Sequence, residues 1–278
     1  MWLDGRVLGS DDATVAVSDH GLTVGDGVFE TLKVIDGTPF ALTRHLARLR
    51  RSAAVLGLDV PMQDADLRCA TSDLLAAPAV GAGARSAGRL RITVTGGPGP
   101  LGSRRGAVAP TIIIAVSPGS AWPTTERVVV VPWTRNEHSA VAGAKTTSYA
   151  ENVVALASAQ AQGAGEALFL NTVGALCEGA GSNVFLGRDG RLLTPALATG
   201  CLAGVTRELV CELVDIEETD TLTVADLADA DEIFLTSSTR DVHPVSHVGD
   251  LAVKAAPGPL TVAAADAFAA LVSSDLDP

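Results

Sequence analysis

The chain has 278 residues, 47% of them hydrophobic, and a formal net charge of −12 from 20 Lys+Arg against 32 Asp+Glu. That length holds one or two domains with a substantial core, and that hydrophobic share excludes a disordered chain. The acidity argues against a nucleic-acid partner, which needs a basic face, and no apolar run is long enough to span a membrane.

Residues 1–9 read as a hairpin turning at Asp4-Gly5, with no basic region and apolar run to suggest a signal peptide. Phe29 to Ile35 alternates like a strand and ends at a second hairpin signal, Asp36-Gly37. Thr43 is placed to cap a helix with apolar positions Leu46, Leu49, Ala53 and Leu56, ended by Gly57. A second helix is expected over residues 64–77, then strands over 90–95 and 111–116 joined by a Gly/Pro-rich loop. The composition shifts at Ser117-Pro-Gly-Ser-Ala-Trp-Pro123. This predicts an N-terminal α+β domain (1–116), a linker (117–124) and a C-terminal α/β domain (125–278). In the latter, helices are expected near 147–162, 204–214 and 259–273, and strands near 127–131, 167–171, 183–187 and 231–236. The four cysteines form no CxxC pair and read as reduced thiols of a cytoplasmic chain.

Lys145 is one of only three lysines and lies in a segment of small residues, Gly143-Ala-Lys-Thr-Thr-Ser148, before a helix start in which Ser148 and Glu151 have capping-box spacing. Small apolar neighbours strip water from a lysine and free its amine for Schiff-base chemistry. Tyr149 follows one helical turn later. Glu178-Gly-Ala-Gly-Ser182-Asn183 sets a carboxylate beside a glycine-rich turn and a buried-looking strand, where it needs a cationic or protonated partner. Gly204-Val205-Thr206 at a helix start offers N–H groups and a hydroxyl to a phosphate. Ser237-Ser238-Thr239 leaves a strand end with hydroxyls suited to phosphate or carboxylate oxygens, and Arg44 stands in the first turn of its helix, where it can bind an anion. Each of these is, taken alone, compatible with an ordinary cap, turn or solvated arginine. Gly97-Pro-Gly-Pro-Leu-Gly102 fits GxGxxG, but its prolines and the lack of a following helix leave it a substrate-side loop. His243 and His247 flank Pro244 in a strand-like segment, so no metal site is expected.

Taken together, these segments resemble the class IV aminotransferase family, the fold-type IV pyridoxal-phosphate enzymes. The resemblance runs from Ser18-Asp-His-Gly-Leu-Thr-Val-Gly25-Asp-Gly-Val-Phe-Glu-Thr31 through Arg44-His-Leu, Lys145…Tyr149…Asn152, Glu178-Gly…Ser182-Asn183 and Gly204-Val-Thr-Arg207 to Thr236-Ser-Ser. It implies a two-domain α+β (mixed α/β) fold, an active site at the domain interface, a homodimer and pyridoxal 5′-phosphate as cofactor. Lys145 would carry the cofactor and move protons at the substrate Cα, Glu178 would pair with the pyridine nitrogen and Tyr149 with the ring's phenolic oxygen. Arg44, the Val205 and Thr206 amides and Ser238 would hold the phosphate, with Ser182 and Asn183 also at the cofactor. Ser237, Thr239, Arg91, Arg104 and Arg240 are candidates for the carboxylate of an amine or amino-acid substrate.

The reaction is less determined. D-amino-acid aminotransferases carry an arginine where this chain has Gly96, and branched-chain enzymes a tyrosine that is missing before the same loop. The short interdomain region and compact length resemble lyase and D-amino-acid-type members more than the longer branched-chain enzymes, and the expected reaction is that of 4-amino-4-deoxychorismate lyase, which yields 4-aminobenzoate and pyruvate in the folate pathway. The alternatives are an aminotransferase on D- or branched-chain amino acids, both activities in one site, or a non-catalytic pyridoxal-phosphate-binding protein.

Overall fold

The structure, a computed structural model, describes residues 1–278. It contains two compact units, each discontinuous in sequence: Met1–Ser120 with Ala144–Tyr149 and Leu276–Pro278, and Ala121–Gly143 with Ala150–Asp275. The first crossing falls inside the expected 117–124 linker. Lys145 and Tyr149 lie in the segment Ala144–Tyr149, which groups with the first unit. They belong to the first unit because the segment holding them pairs with a strand of that unit.

In the first unit, β1 (Trp2–Leu3) and β2 (Arg6–Val7) form the expected hairpin, followed by α1 (His20–Thr23), β3 (Gly27–Ile35) and β4 (Thr38–Pro39). Next come α2 (Leu42–Val55), α3 (Asp64–Ala76), α4 (Ala82–Ser86), β5 (Ala87–Thr95) and β6 (Ile112–Pro118). The strands make one antiparallel sheet in the order β2-β1-β6-β5-β3-β4. Asp36 and Gly37 both have positive φ (46° and 81°), the geometry a two-residue hairpin needs. Val28, Leu32 and Val34 of β3 and Leu90, Ile92 and Val94 of β5 point to one face. There they bury with Leu42, Leu46 and Leu49 of α2 and with Leu67 and Leu74 of α3. Thr43 does not cap α2: the N-cap is Ala41, with φ of 53°, and Thr43 lies in the first turn. The cap comes instead from the far end of the chain, where Asp277 accepts from Thr43 N and Thr43 Oγ1, each at 2.7 Å. Gly57, with φ of 59°, ends the helix as expected.

The second unit runs β7 (Glu126–Arg135), α5 (Ala150–Ala161), β8 (Glu166–Asn171), β9 (Leu176–Gly179), β10 (Asn183–Arg188) and β11 (Arg191–Pro195). It continues through α6 (Val205–Leu213), β12 (Ile216–Thr219), α7 (Val224–Asp229), β13 (Glu232–Ser237), β14 (Asp241–Val248), β15 (Leu251–Ala252) and α8 (Pro259–Ser274). Its nine-stranded sheet has the order β12-β11-β10-β13-β14-β7-β8-β9, with β15 on β14. Pairing is mixed: β11/β12, β14/β7 and β7/β8 are parallel, the rest antiparallel. Phe185 and Phe234 stack across β10 and β13, 4.7 Å between centroids. α5 starts at Ala150, later than the capping-box spacing predicts, because the Ser148 hydroxyl donates to Gly25 O (3.0 Å). No helix is long and apolar enough to cross a membrane.

Candidate active site

In the first unit the site is built on the N-terminal end of β3. Residues 144–149 lie beside it as a short extra strand: Val28 bridges Thr146, Phe29 N donates to Lys145 O (3.1 Å), and Thr147 N donates to Gly27 O (2.8 Å). Lys145 N donates to Ser52 Oγ of α2 (3.0 Å), so both sides of the lysine's backbone are fixed. Its Nζ stands 4.5 Å from the Phe29 ring centroid and 5.8 Å from that of Tyr149. The two rings meet edge to face at 5.3 Å. Lys145 and Tyr149 are therefore brought together as the sequence predicts, with Phe29 as a third member that the sequence reading left as an ordinary strand residue.

β3 alternates, so Phe29 lies on the face opposite the α2 core. Thr31 pairs with Arg91 on that face, and the Arg91 guanidinium carbon lies 3.7 Å from the Phe29 ring. Arg104 is exposed in the loop after β5. Its neighbour Arg105 grips both oxygens of Asp26 at 2.6 Å and the carbonyl of Gly57 at the end of α2.

Arg44 donates Nε to Pro278 O (2.9 Å). One turn on, Arg48 is buried, and the sequence reading missed it. Arg48 Nε and Nη2 meet Glu30 Oε1 and Oε2 at 2.8 and 2.6 Å, and His45 Nδ1 lies 2.6 Å from Glu30 Oε2. Burial alone would raise the Glu30 carboxyl. The Arg48 charge and the hydrogen bonds from Arg48 and His45 outweigh it and hold Glu30 at about 2. His45 is pushed below its ordinary value by burial and by the charges of Arg48 and Lys145, against the pull of Glu30. A signal was present: Glu30 occupies the inward register of β3, between Val28 and Leu32, and an inward carboxylate requires a buried cation.

In the second unit Glu178 ends β9, only 9% exposed. Its Oε2 accepts from Leu202 N (2.8 Å), and Oε1 is 3.1 Å from Arg135 Nε at the end of β7. Arg135 also lies 4.4 Å over the Phe169 ring and bonds the Asn152 side chain. It is a further residue missed at sequence level, where it reads as a strand-end arginine. Asn183 Nδ2 donates to Leu202 O (2.9 Å), so Glu178 and Asn183 together fix the turn that enters α6. Gly204 is the N-cap of α6; a Cβ there would collide with Asn183 Oδ1. Val205 and Thr206 follow, both buried. Ser182 donates to Glu166 (3.0 Å). Ser237, Ser238 and Thr239 form the half-buried turn after β13, and Thr236 Oγ1 at its foot is buried with no hydrogen-bond partner. Arg240, expected at a substrate carboxylate, is held instead by Glu126 (3.3 Å) and Glu166 (3.5 Å).

The model of the family described as amino-transferase class IV matches residues 27–248. A D-alanine aminotransferase of Bacillus licheniformis is 30% identical over 272 residues, covering 93% of this chain and 92% of that protein. A bifunctional aminodeoxychorismate lyase / D-amino acid transaminase of Mycobacterium tuberculosis is 33% identical over 267 residues, covering 85% and 86%. Among solved structures, a branched-chain aminotransferase of Thermoproteus uzoniensis superposes with a TM-score of 0.89 at 31% identity, covering 98% of this chain and 93% of that one.

Proposed function

This chain belongs to the class IV aminotransferases, pyridoxal-phosphate-dependent enzymes, and on that premise we propose that its reaction is the 4-amino-4-deoxychorismate lyase reaction, with D-amino-acid transamination as a second exit of the same site. The observation that carries this reading is Gly96. A Cβ at this position would lie 2.5 Å from Asp26 Oδ2 and 3.3 Å from His20 Cβ, so the arginine that D-amino-acid aminotransferases place there would have to displace the Asp26 carboxylate that Arg105 grips. The identity to the bifunctional relative supports keeping both exits. Family membership sets aside the non-catalytic reading.

The residues present fit the cofactor. An aldehyde needs a primary amine held away from bulk water, and Lys145 Nζ lies against two aromatic rings. A phosphate needs convergent donors in a space without side chains. Val205 and Thr206 open a nine-residue helix whose N-cap, Gly204, makes no side-chain cap bond, and the orphaned Thr236 hydroxyl marks unmet hydrogen-bonding capacity at the foot of the Ser237-Ser238-Thr239 turn. Bound pyridoxal phosphate supplies the electron sink for charge developed at the substrate Cα.

Under this reading Lys145 Nζ would hold the cofactor until the substrate amine takes its place, and the freed amine would then move the proton at the substrate Cα. Phe29 and Tyr149 keep water from the amine, and the Tyr149 hydroxyl would hold the cofactor's phenolic oxygen. Glu178 would pair with the pyridine nitrogen and keep it protonated, its carboxylate placed by Arg135. Arg44, the Val205 and Thr206 amides and Ser238 receive the phosphate, supported by Ser182 and Asn183. Ser237, Thr239, Arg91 and Arg104 remain for the substrate carboxylate. Two copies are proposed to pair through exposed apolar residues of the first unit, among them Val17 (83% exposed), Leu22 (69%) and Leu101 (82%). Four free cysteines suit a reducing, cytoplasmic setting.

The test is to mix holoenzyme, without keto acid, with 4-amino-4-deoxychorismate, D-alanine and L-leucine separately. Sustained release of 4-aminobenzoate and pyruvate with the cofactor still in its aldehyde form establishes the lyase. Stoichiometric conversion of the cofactor to its amine form by an amino acid, with no 4-aminobenzoate released, overturns it in favour of a transaminase.

A further inference from the structure

Glu166 and Arg240 have no part in the chemistry above, yet both are almost fully buried in the second unit, their side chains 2% and 7% exposed. Glu166 Oε1 accepts from Ala167 N (3.0 Å) and Ala180 N (3.1 Å). Its Oε2 accepts from Ser182 Oγ (3.0 Å) and lies 3.5 Å from Arg240 Nη2. Arg240 in turn donates Nη1 to Glu126 Oε2 (3.3 Å) and Nη2 to Gly165 O (3.1 Å), and its guanidinium carbon lies 4.1 Å over the Trp122 ring. Trp122 Nε1 donates to Thr239 O (2.7 Å), and Arg240 N donates to Ser237 Oγ (3.2 Å).

Two turns are therefore tied to one buried charge cluster. The first, residues 179–183, joins β9 to β10 and is held by Glu166 through Ala180 and Ser182. The second, residues 237–240, joins β13 to β14 and is held by Arg240 and Trp122. β10 and β13 are neighbours, with Asn183 opposite Thr236, so the turns leave the sheet side by side. Two carboxylates share one guanidinium here. Burial pushes the Glu166 carboxyl up, only partly offset by Arg240 and the hydrogen bonds it accepts. A cluster with so little exposure has two arrangements, assembled or broken, and little between them.

We infer that Glu166 and Arg240 are positioning residues: they lock the Ser237-Ser238-Thr239 turn beside the Glu178–Asn183 turn, so that affinity for the cofactor's phosphate depends on a side-chain pair whose own donors and acceptors are taken up by protein. The inference rests on the assignment of Ser238 to the phosphate. Trp122 is the third member, since it binds the same turn at Thr239 O.

The experiment titrates apoenzyme with pyridoxal 5′-phosphate and, separately, with pyridoxal, which lacks the phosphate, for the wild type, Arg240→Met, Glu166→Gln, Ser238→Ala and the Arg240→Met/Ser238→Ala double variant. Arg240→Met and Glu166→Gln are expected to weaken the phosphate ester about tenfold, the size of a coupled-neighbour effect, and to leave pyridoxal unchanged. The double variant should lose little beyond Ser238→Ala alone. Equal losses for both ligands, or a lower melting temperature with both affinities kept, would overturn the inference and leave the pair merely structural. Ser238→Ala with undiminished phosphate selectivity sinks the assignment of that turn itself. Ser238→Ala impaired while Arg240→Met binds normally sinks the positioning role alone. Should Arg240→Met not fold, Trp122→Phe, which removes the bond to Thr239 O and trims the ring beneath the Arg240 guanidinium, carries the same expectation and the same refutation.

Discussion

Arg135 Nε stands 3.1 Å from Glu178 Oε1, while the other oxygen of that carboxylate accepts from Leu202 N at 2.8 Å. Glu178 is thus oriented from two sides by its own chain. A carboxylate placed in this way is the acceptor that the proposed pairing with a pyridine nitrogen requires. Removing either partner has different consequences. Glu178→Gln should retain the cofactor but slow proton abstraction, with kcat falling at least about 10²-fold. Arg135→Gln should lower kcat less and leave KM nearly unchanged, since it acts through Glu178. Steady-state kinetics of both variants and of the pair decides this; additive losses in the double variant would show that the two act separately.

Lys145→Ala should abolish turnover, with a loss of about 10²–10⁴-fold or more from the missing acid/base. Borohydride reduction of the wild-type holoenzyme should fix a pyridoxyl group on the peptide carrying Lys145. Finding it on Lys33 or Lys254 would remove Lys145 from the role.

Acid should destabilise the first unit in two stages. Glu30 sits at about 2, below its ordinary 4.5, so its contribution is complete above about 4.5 and fades as pH falls toward 2. His45 is held below 6.5, so the unfolded chain takes up a proton there that the folded one refuses, and stability again falls as pH drops below 6.5. The urea midpoint should therefore decline from pH 6.5 downward and more steeply below 4.5. Glu30→Gln should flatten the lower limb while costing about 3–5 kcal/mol at neutral pH, because Arg48 loses its buried partner. An unchanged acid limb in that variant would exclude the triad as its source.

Asp277 should matter to α2 although 234 positions separate it from Thr43. Asp277→Ala removes the helix's only side-chain cap at that end and should cost about 1 kcal/mol, seen as a lower melting temperature. Asp277→Asn should restore most of it. Thr43 and Arg68 bonds hold the Asp277 carboxyl below its ordinary value against burial, so its contribution disappears as pH falls below that value. Equal melting temperatures for wild type and Asp277→Ala across that range would deny the cap.

Much of this site is visible in residue order. Lys145, Glu178, Gly204 and Ser238 each sit at a strand end or helix start, where local chemistry advertises itself. The α2 and α3 stripes and the Asp-Gly turns were equally plain, because periodicity and turn geometry are local. Arg135, Arg48 and Glu166 were not visible, since their meaning lies in partners far along the chain. The return of residues 144–149 to β3 has the same origin: composition marks a linker, but only pairing with β3 joins Lys145 to the first unit. The cap on α2 was misread as Thr43 because a sequence cannot show that a carboxylate arrives from residue 277.

That return has a consequence for the order of synthesis. The sheet and helices of the first unit are complete once residue 120 has left the ribosome, yet the amine they surround lies in the segment 144–149. A nascent chain halted in between would carry Phe29, Ser52 and the Glu30–His45–Arg48 cluster around a gap in the sheet edge. Capture of an aldehyde therefore waits on a later stretch of chain. N-terminal folding proceeds first during translation, so, with Lys145 in its proposed role, commitment to the cofactor is a late event, unavailable to any fragment that stops at the first crossing.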